Sequence, residues 1–402
     1  MYVFLALSKT PWFAALENLH NVLAARDVAS VRRAYTALYA SLSESATPDL
    51  ASAAARDFLY LDSSLARAAM CSETSSREVP AGLLAGARAD LGRLLSLLRR
   101  DWQRECEQMG ESVPPLAELA PPLAPMLDLA RLDAEEVLDR LLTHYARHGA
   151  GLLARYEAFR WTDKHLEGVA HPAQGGAQLV GLERPLEQLA QNTEAFLARQ
   201  PAQHALLYGP RGSGKSTAVK RLLPRYAEDG LRLVELPAAH LSDLLNVIEP
   251  LRGRPHRYVL FVDDLSFAAE DAGYAPLKTL LEGSLTERPE NVLVYATSNR
   301  RHLVSERFSD RPNPLNDPSN DDVHAWDTQH ERLALADRFG LTLTFPSATQ
   351  SRYLDIVRGL AAQRGLGADD LDARAVRFAE WGNGYSGRTA QQFVDALGAG
   401  LA

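Results

Sequence analysis

The chain has 402 residues, too many for one compact core, so two or three domains are expected. A hydrophobic share of 46% beside 23% charged residues excludes wholesale disorder, and a net charge of −8 excludes a global positive field that would draw the chain to nucleic acid or anionic lipid. Cys71 and Cys106 stand in no metal or redox spacing and fit a reducing compartment. The opening Met1–Lys9 stretch lacks the ordering of a signal peptide, and no run approaches the roughly 18 apolar residues that span a bilayer. A soluble, cytoplasmic protein with no membrane partner is expected.

From about residue 11 to 162 the sequence is rich in Ala, Leu and Arg, with apolar residues three and four apart. Val31–Leu42, Gly82–Glu107 and Leu127–Tyr145 read as amphipathic helices, interrupted by the Pro-rich run Val113–Pro125. His171–Gln178 reads as a linker. Beyond it the pattern alternates: the short aliphatic runs Ala205–Tyr208, Leu231–Leu236, Tyr258–Val262, Asn291–Ala296 and Leu341–Phe345 are separated by helical stretches, the signature of a parallel sheet covered on both faces. Tyr353–Gln363, Leu371–Trp381 and Arg388–Leu397 then return to helix.

The first chemically informative motif follows the first aliphatic strand. Gly209, Pro210, Arg211, Gly212, Ser213, Gly214, Lys215, Ser216 and Thr217 match G-x-x-x-x-G-K-[ST] and open the helical stretch Ser216–Leu223. The glycines let the loop curl so that backbone N–H groups converge into an anion nest. Lys215 supplies a mobile charge for β- and γ-phosphates, and Ser216 is placed to ligate Mg²⁺. Lysine is scarce here: five of the 43 basic residues are lysine, yet one stands at 215. A planar guanidinium is the wrong shape for such a nest.

Tyr258–Asp264 is an aliphatic strand ending in two carboxylates, and open parallel sheets bind ligands at the carboxyl ends of their strands. Asp263 is therefore the candidate to hold Mg²⁺ and Asp264 the candidate to orient or deprotonate the attacking water. The strand Asn291–Asn299 also ends in polar residues, and the Asn299 amide can reach the water or the γ-phosphate.

Cradle, acid-tipped strand, Asn-tipped strand, fifth strand and helical lid, in that order, resemble the AAA+ superfamily over about residues 178 to 402. Leu206–Ser216, Leu260–Phe267, Leu281–Ser284, Tyr295–Leu303 and Asp337–Phe345 further resemble a bacterial group known as the domain of unknown function 815 family, whose members carry a helical region before an ATPase module. The resemblance implies an α/β AAA+ P-loop NTPase with a five-stranded parallel sheet and a C-terminal helical lid, preceded by an all-α domain. The expected divisions are 1–165 helical, 166–178 linker, 179–348 nucleotide-binding and 349–402 lid. It also implies ATP and Mg²⁺ as ligands, hydrolysis, and Asn299 as the first sensor. Arg388 resembles the second sensor on the lid, and Arg338 the arginine finger that reaches a neighbouring subunit, with Arg300, Arg301 and Arg307 as rivals. Val180 and Gly181, in Leu179–Leu182, resemble the segment beside the adenine. Further copies of the chain and an unidentified protein are the expected partners, and the acidic balance speaks against nucleic acid. The family pattern ends its acidic strand in Asp-Glu, whereas this chain has Asp-Asp, which leaves three readings open: an ATPase, a nucleotide-gated binding module, or a DNA-associated loader.

Two other features carry little. His144 and His148 share a helical face at i, i+4 but lack the Glu and third ligand of a zinc site, and Ser309–Asp322 reads as a solvated loop.

Overall fold

A computed structural model describes residues 1–45, 47–75, 78–117, 119, 127–170, 172, 179–265, 274–282, 289–299, 336–367, 370–382 and 384–401. The described residues fall into two compact units. The first is Met1–Arg155 with Gly253–Pro255, and the second is Tyr156–Arg252 with His256–Ala402.

The first unit is helical: α1 (Pro11–Ala24), α2 (Val28–Glu44), α3 (Leu50–Tyr60), α4 (Ser64–Ser75), α5 (Ala81–Leu98), α6 (Trp102–Gln108), α7 (Ala134–His148) and α8 (Leu152–Arg155). The single helix read over Gly82–Glu107 is two, because Asp101 accepts from the Arg104 amide and starts a new helix. The helix read from Leu127 begins at Ala134, where Asp133 and Glu136 form a reciprocal capping box. Trp12, Phe13, Tyr35, Leu38, Phe58 and Leu141 centre one apolar core. Beside it the buried Asp90 carboxylate accepts from the amides of Tyr2, Val3 and Phe4 at 2.8–3.1 Å.

The second unit is built on a sheet ordered β2-β1-β4-β5-β6-β3-β7 among the described residues. Its strands are β1 (Ala158–Thr162), β2 (His165–Val169), β3 (Ala205–Tyr208), β4 (Leu231–Glu235), β5 (Arg257–Val262), β6 (Val292–Ser298) and β7 (Leu341–Thr344). All pairs are parallel except β1 with β2. The five expected strands are present within a residue or two, and the α/β class holds. Among the described residues the strand count is seven rather than five, because residues 158–169 form a hairpin that joins β4. Asp163 and Lys164 close it with φ of +48° and +64°, the left-handed pair that a two-residue turn needs, and Phe159 and Trp161 are buried. The sheet unit consequently begins at Tyr156, not after residue 165. The expected linker His171–Gln178 lies, apart from Pro172, outside the described residues.

Helices α9 (Glu183–Leu197), α10 (Lys215–Lys220), α11 (Leu222–Tyr226), α12 (Leu244–Ile248) and α13 (Tyr274–Glu282) lie between the strands in sequence. Central strands β5 and β6 are buried along their lengths, as strands covered on both faces must be. After β7 come the lid helices α14 (Gln350–Gln363), α15 (Leu371–Trp381) and α16 (Gly387–Gly398), which share a core of Tyr353, Val357, Leu360, Ala375 and Phe393. Among the described residues no helix is long and apolar enough to cross a membrane.

Replacing Asp90 by Ala leaves three amides without their acceptor. The expected cost is about 3 kcal/mol, read as a lower urea midpoint at unchanged slope; a midpoint equal to wild type would refute the role. His144 offers a pH test. Burial, with His148 beside it, pushes its pKa down to about 4 from the ordinary histidine value. A depressed histidine pKa means the unfolded chain binds the proton first. Stability is therefore full above the ordinary value and falls as pH drops towards 4. His144→Gln should flatten that acid limb in unfolding curves taken from pH 7 to 4.

Candidate functional site

Strand β3 ends at Tyr208, and the loop to α10 folds back over the sheet. The Gly209 amide donates to the Ser298 carbonyl at 3.1 Å. Its φ is +154°, and a Cβ there would lie 2.0 Å from the Phe345 carbonyl oxygen, so this position admits no side chain. Gly212, at φ +75°, meets the lid: the Gly387 amide donates to its carbonyl at 3.1 Å, and a Cβ would come within 2.8 Å of Ser386 Oγ.

Lys215 is buried, 7% exposed. Its ammonium donates to the carbonyls of Gly209 (2.7 Å) and Pro210 (2.8 Å) and to Asn299 Oδ1 (3.1 Å). Burial holds its pKa below the usual lysine range. Asp263 and Asp264 oppose that shift, and Arg211 and Arg388 add to it.

The acid pair emerges from β5. Asp263 Oδ1 accepts from Ser216 Oγ at 2.6 Å and from Thr297 Oγ1 at 2.5 Å. Thr297 Oγ1 in turn accepts from the Asp264 amide at 2.9 Å. Asp264 has φ +54° and takes a hydrogen bond from the Asn299 amide nitrogen, with Arg211 Nη2 3.9 Å away. The Asn299 amide has one possible orientation, since an ammonium can only donate and a carboxylate only accept. Lys215, Asn299 and Asp264 thus form one continuous chain across the carboxyl ends of β3, β6 and β5. Thr297 has no distinct cue in the sequence, where a β-branched residue inside a strand reads as packing; its signal is a hydroxyl two residues before Asn299, in the polar end of the strand.

A cavity of about 300 Å³ opens beside the cradle. Its floor is Gly212, Ser213, Gly214, Lys215, Ser216 and Thr217, and its walls include Leu179, Val180 and Leu182 on one side and Arg352, Ile356, Arg388, Gln391 and Gln392 of the lid on the other. Gly181 sits at the edge with its amide donating to Glu183 Oε1 at 2.9 Å. Arg388, exposed near the start of α16, stands over the cradle. Arg338 does not join this group. It lies on the turn Ala336–Arg338 just before β7, and β7 runs parallel to β3, so this turn is at the end of the sheet opposite the cradle. Arg300, Arg301 and Arg307 lie outside the described residues, as does Ser309–Asp322.

The donor set suits a nucleoside triphosphate. Ser213 Oγ is buried with no hydrogen-bond partner among the described residues, so the floor of the cavity holds an unused polar group. Apolar walls, among them Leu179, Val180, Leu182 and Ile356, lie beyond the glycine loop. For magnesium, Ser216 and Asp263 already face each other at hydrogen-bonding distance. No group of three or more His, Cys, Asp or Glu that could hold a metal occurs among the described residues.

A family model described as "Protein of unknown function (DUF815)" matches residues 154–401, more than half of the chain. The chain belongs to the DUF815 family. The strand order of its sheet, with the glycine loop after β3, two acids at the end of β5 and helices after β7, is that of an AAA+ P-loop NTPase. Among solved structures, the DUF815 protein is similar to the Thermotoga maritima RuvB Holliday junction branch migration motor, at 17% identity over 55% of this chain and 64% of that one, with a TM-score of 0.37. It is also similar to the Aeropyrum pernix Orc1 protein in complex with DNA, at 16% identity over 57% of this chain and 68% of that one, with a TM-score of 0.34. The DUF815 chain thus spans less than two thirds of the RuvB structure's own length. No curated protein matches the sequence.

Gly209→Ala should displace the Phe345 carbonyl and open the loop. Binding of Mg·ATP by calorimetry is expected to fall at least about a hundredfold, with lowered thermal stability; wild-type affinity in the variant would show that the close approach does not matter.

Proposed function

We propose that this protein binds Mg·ATP in the cavity beneath the lid and hydrolyses it. The observation that carries this reading is the hydrogen-bonded chain Lys215–Asn299–Asp264 lying beside the Ser216–Asp263 pair. It gathers a cation, a water-orienting amide, two carboxylates and a metal-binding hydroxyl at one sheet edge. Magnesium, when bound, would neutralise charge on the phosphate oxygens. Lys215 would leave the Gly209 and Pro210 carbonyls for the β- and γ-phosphates, an exchange favoured because its present partners are neutral dipoles. Asp264, held by Asn299, would accept a proton from the attacking water or orient it. Val180 and Gly181 would lie beside the adenine.

Arg388 would reach the γ-phosphate from the lid, so that nucleotide state and lid position are coupled. Arg338, far from the cradle of its own subunit, suits a role across an interface between copies of the chain, possible in a dimer or a ring. Lid and subunit motion would then act on a protein partner. The net charge of −8 disfavours a nucleic-acid role.

Phosphate release by wild type, Lys215→Ala and Asp264→Asn tests the reading. Lys215→Ala should lose ATP affinity and turnover together. Asp264→Asn should bind ATP within a few-fold of wild type yet turn over about 10²–10⁴ times more slowly. Equal rates in all three would end the enzymatic claim, and tight binding with negligible wild-type turnover would leave a nucleotide-gated module. Specific activity should also rise with protein concentration, and Arg338→Ala should abolish that rise.

A further inference from the structure

The peptide that joins Gly212 to Ser213 is held at both ends. The Gly212 carbonyl accepts at 3.1 Å from the amide of Gly387, the first residue of the lid helix α16. The Ser213 amide donates to the Pro210 carbonyl at 3.4 Å, and that same oxygen accepts from the Lys215 ammonium at 2.8 Å. A trans peptide is planar, and its C=O and N–H point in opposite directions. Holding the carbonyl towards the lid therefore aims the amide away from it, at the oxygen on which Lys215 also converges.

Both partners are shaped for this contact. Gly212, at φ +75°, has no space for a side chain, because a Cβ there would come within 2.8 Å of Ser386 Oγ and 3.4 Å of the Arg388 Cβ. A Cβ on Gly387 would lie 3.3 Å from the Gly212 oxygen. The helix start that presents the donor is itself fixed. Ser386 is extended, with φ −154° and ψ 161°, and its Oγ accepts from the Thr389 amide at 3.1 Å. Gly212, Ser213, Lys215, Gly387 and Arg388 all line the one cavity, so the contact lies where the lid and the cradle meet around it.

We propose that Gly387 is a positioning residue for phosphate. Through the Gly212 carbonyl, the docked lid holds the Ser213 amide in the orientation that a phosphate oxygen needs when it takes the place of the Pro210 carbonyl beside Lys215. This rests on the reading that the cavity holds a nucleoside triphosphate. It adds a route by which lid and polyphosphate govern one another through backbone alone, without the Arg388 side chain and without a base. Linkage makes the effect mutual: a docked lid raises affinity for polyphosphate, and bound polyphosphate holds the lid.

The test uses the full-length protein with Mg²⁺, inorganic tripolyphosphate as a base-free probe and the slowly hydrolysed ATPγS, both by calorimetry. Gly387→Pro removes the donor and sets a ring against the Gly212 carbonyl, at a first helical position after an extended residue, where proline is accepted. Gly387→Ala keeps the donor. The proline variant should bind tripolyphosphate and ATPγS more weakly by one common factor of about tenfold, and the alanine variant should stay within about threefold of wild type. Wild-type affinity for tripolyphosphate in the proline variant overturns the proposal, as does a wild type that takes ATPγS but not tripolyphosphate. Amide hydrogen exchange along α16 decides the matter even if the proline variant fails to fold. Tripolyphosphate should slow that exchange in wild type and equally in Arg388→Ala; no slowing in wild type, or slowing that Arg388→Ala abolishes, overturns the backbone route. Wild type that binds neither tripolyphosphate nor ATPγS overturns the triphosphate reading as well.

Discussion

A buried ammonium organises this molecule's working end. Lys215 has been taken out of water without a carboxylate in direct contact, and a charge so placed demands dipoles. Two of those dipoles are carbonyls of its own loop, at Gly209 and Pro210, and the third is the amide of Asn299 on another strand. The loop is therefore wrapped around its own lysine. The same amide passes the constraint to Asp264, and Thr297 ties Asp264 to Asp263 and thence to Ser216. Three strand ends are fixed by one network, and the ammonium at its head spends its three donors on neutral dipoles. An incoming polyphosphate can take over that network without first having to build it.

The segment Leu179–Leu182 connects this network to the lid. Leu179 and Leu182 pack with the sheet core and approach Gly214, while Val180 packs against the lid core and offers its carbonyl to Arg352. The lid touches the cradle a second time, through the Gly387 amide on the Gly212 carbonyl. One short strip of backbone and one hydrogen bond thus join two separately packed bodies. Shifting the lid changes the shape of the cavity, since residues of the lid and of the sheet side line it together.

Much of this was legible in the sequence, and the reasons are specific. The cradle and the acid strand are readable because their chemistry fixes spacing within a few consecutive residues. The five parallel strands are readable because burial on both faces leaves continuous aliphatic runs such as Tyr258–Val262. The β1–β2 hairpin was hidden because its turn is Asp163-Lys164, which lacks the glycine that marks most such turns, and because it follows a long helical stretch. Helix breaks at Asp101 and Asp133 were hidden because capping is decided by one side chain inside an unbroken apolar rhythm. Thr297 and Arg352 were hidden for a different reason. Each acts through a partner brought close by the fold: Thr297 through acids more than thirty residues away, Arg352 through a carbonyl 172 positions earlier.

The left-handed backbone at Asp264 has a consequence for how this acidic strand can vary. Among non-glycine residues, aspartate and asparagine tolerate that region best, because a short polar side chain can bond to nearby groups there. Glutamate, the residue the AAA+ pattern places at this position, has no such dispensation. The missing methylene is then a matter of shape before it is a matter of reactivity: a chain that bends to the left at the mouth of its pocket selects the shorter acid. Restoring the longer one would straighten the turn or strain it, and either would disturb the reach of Asn299 towards the carboxylate.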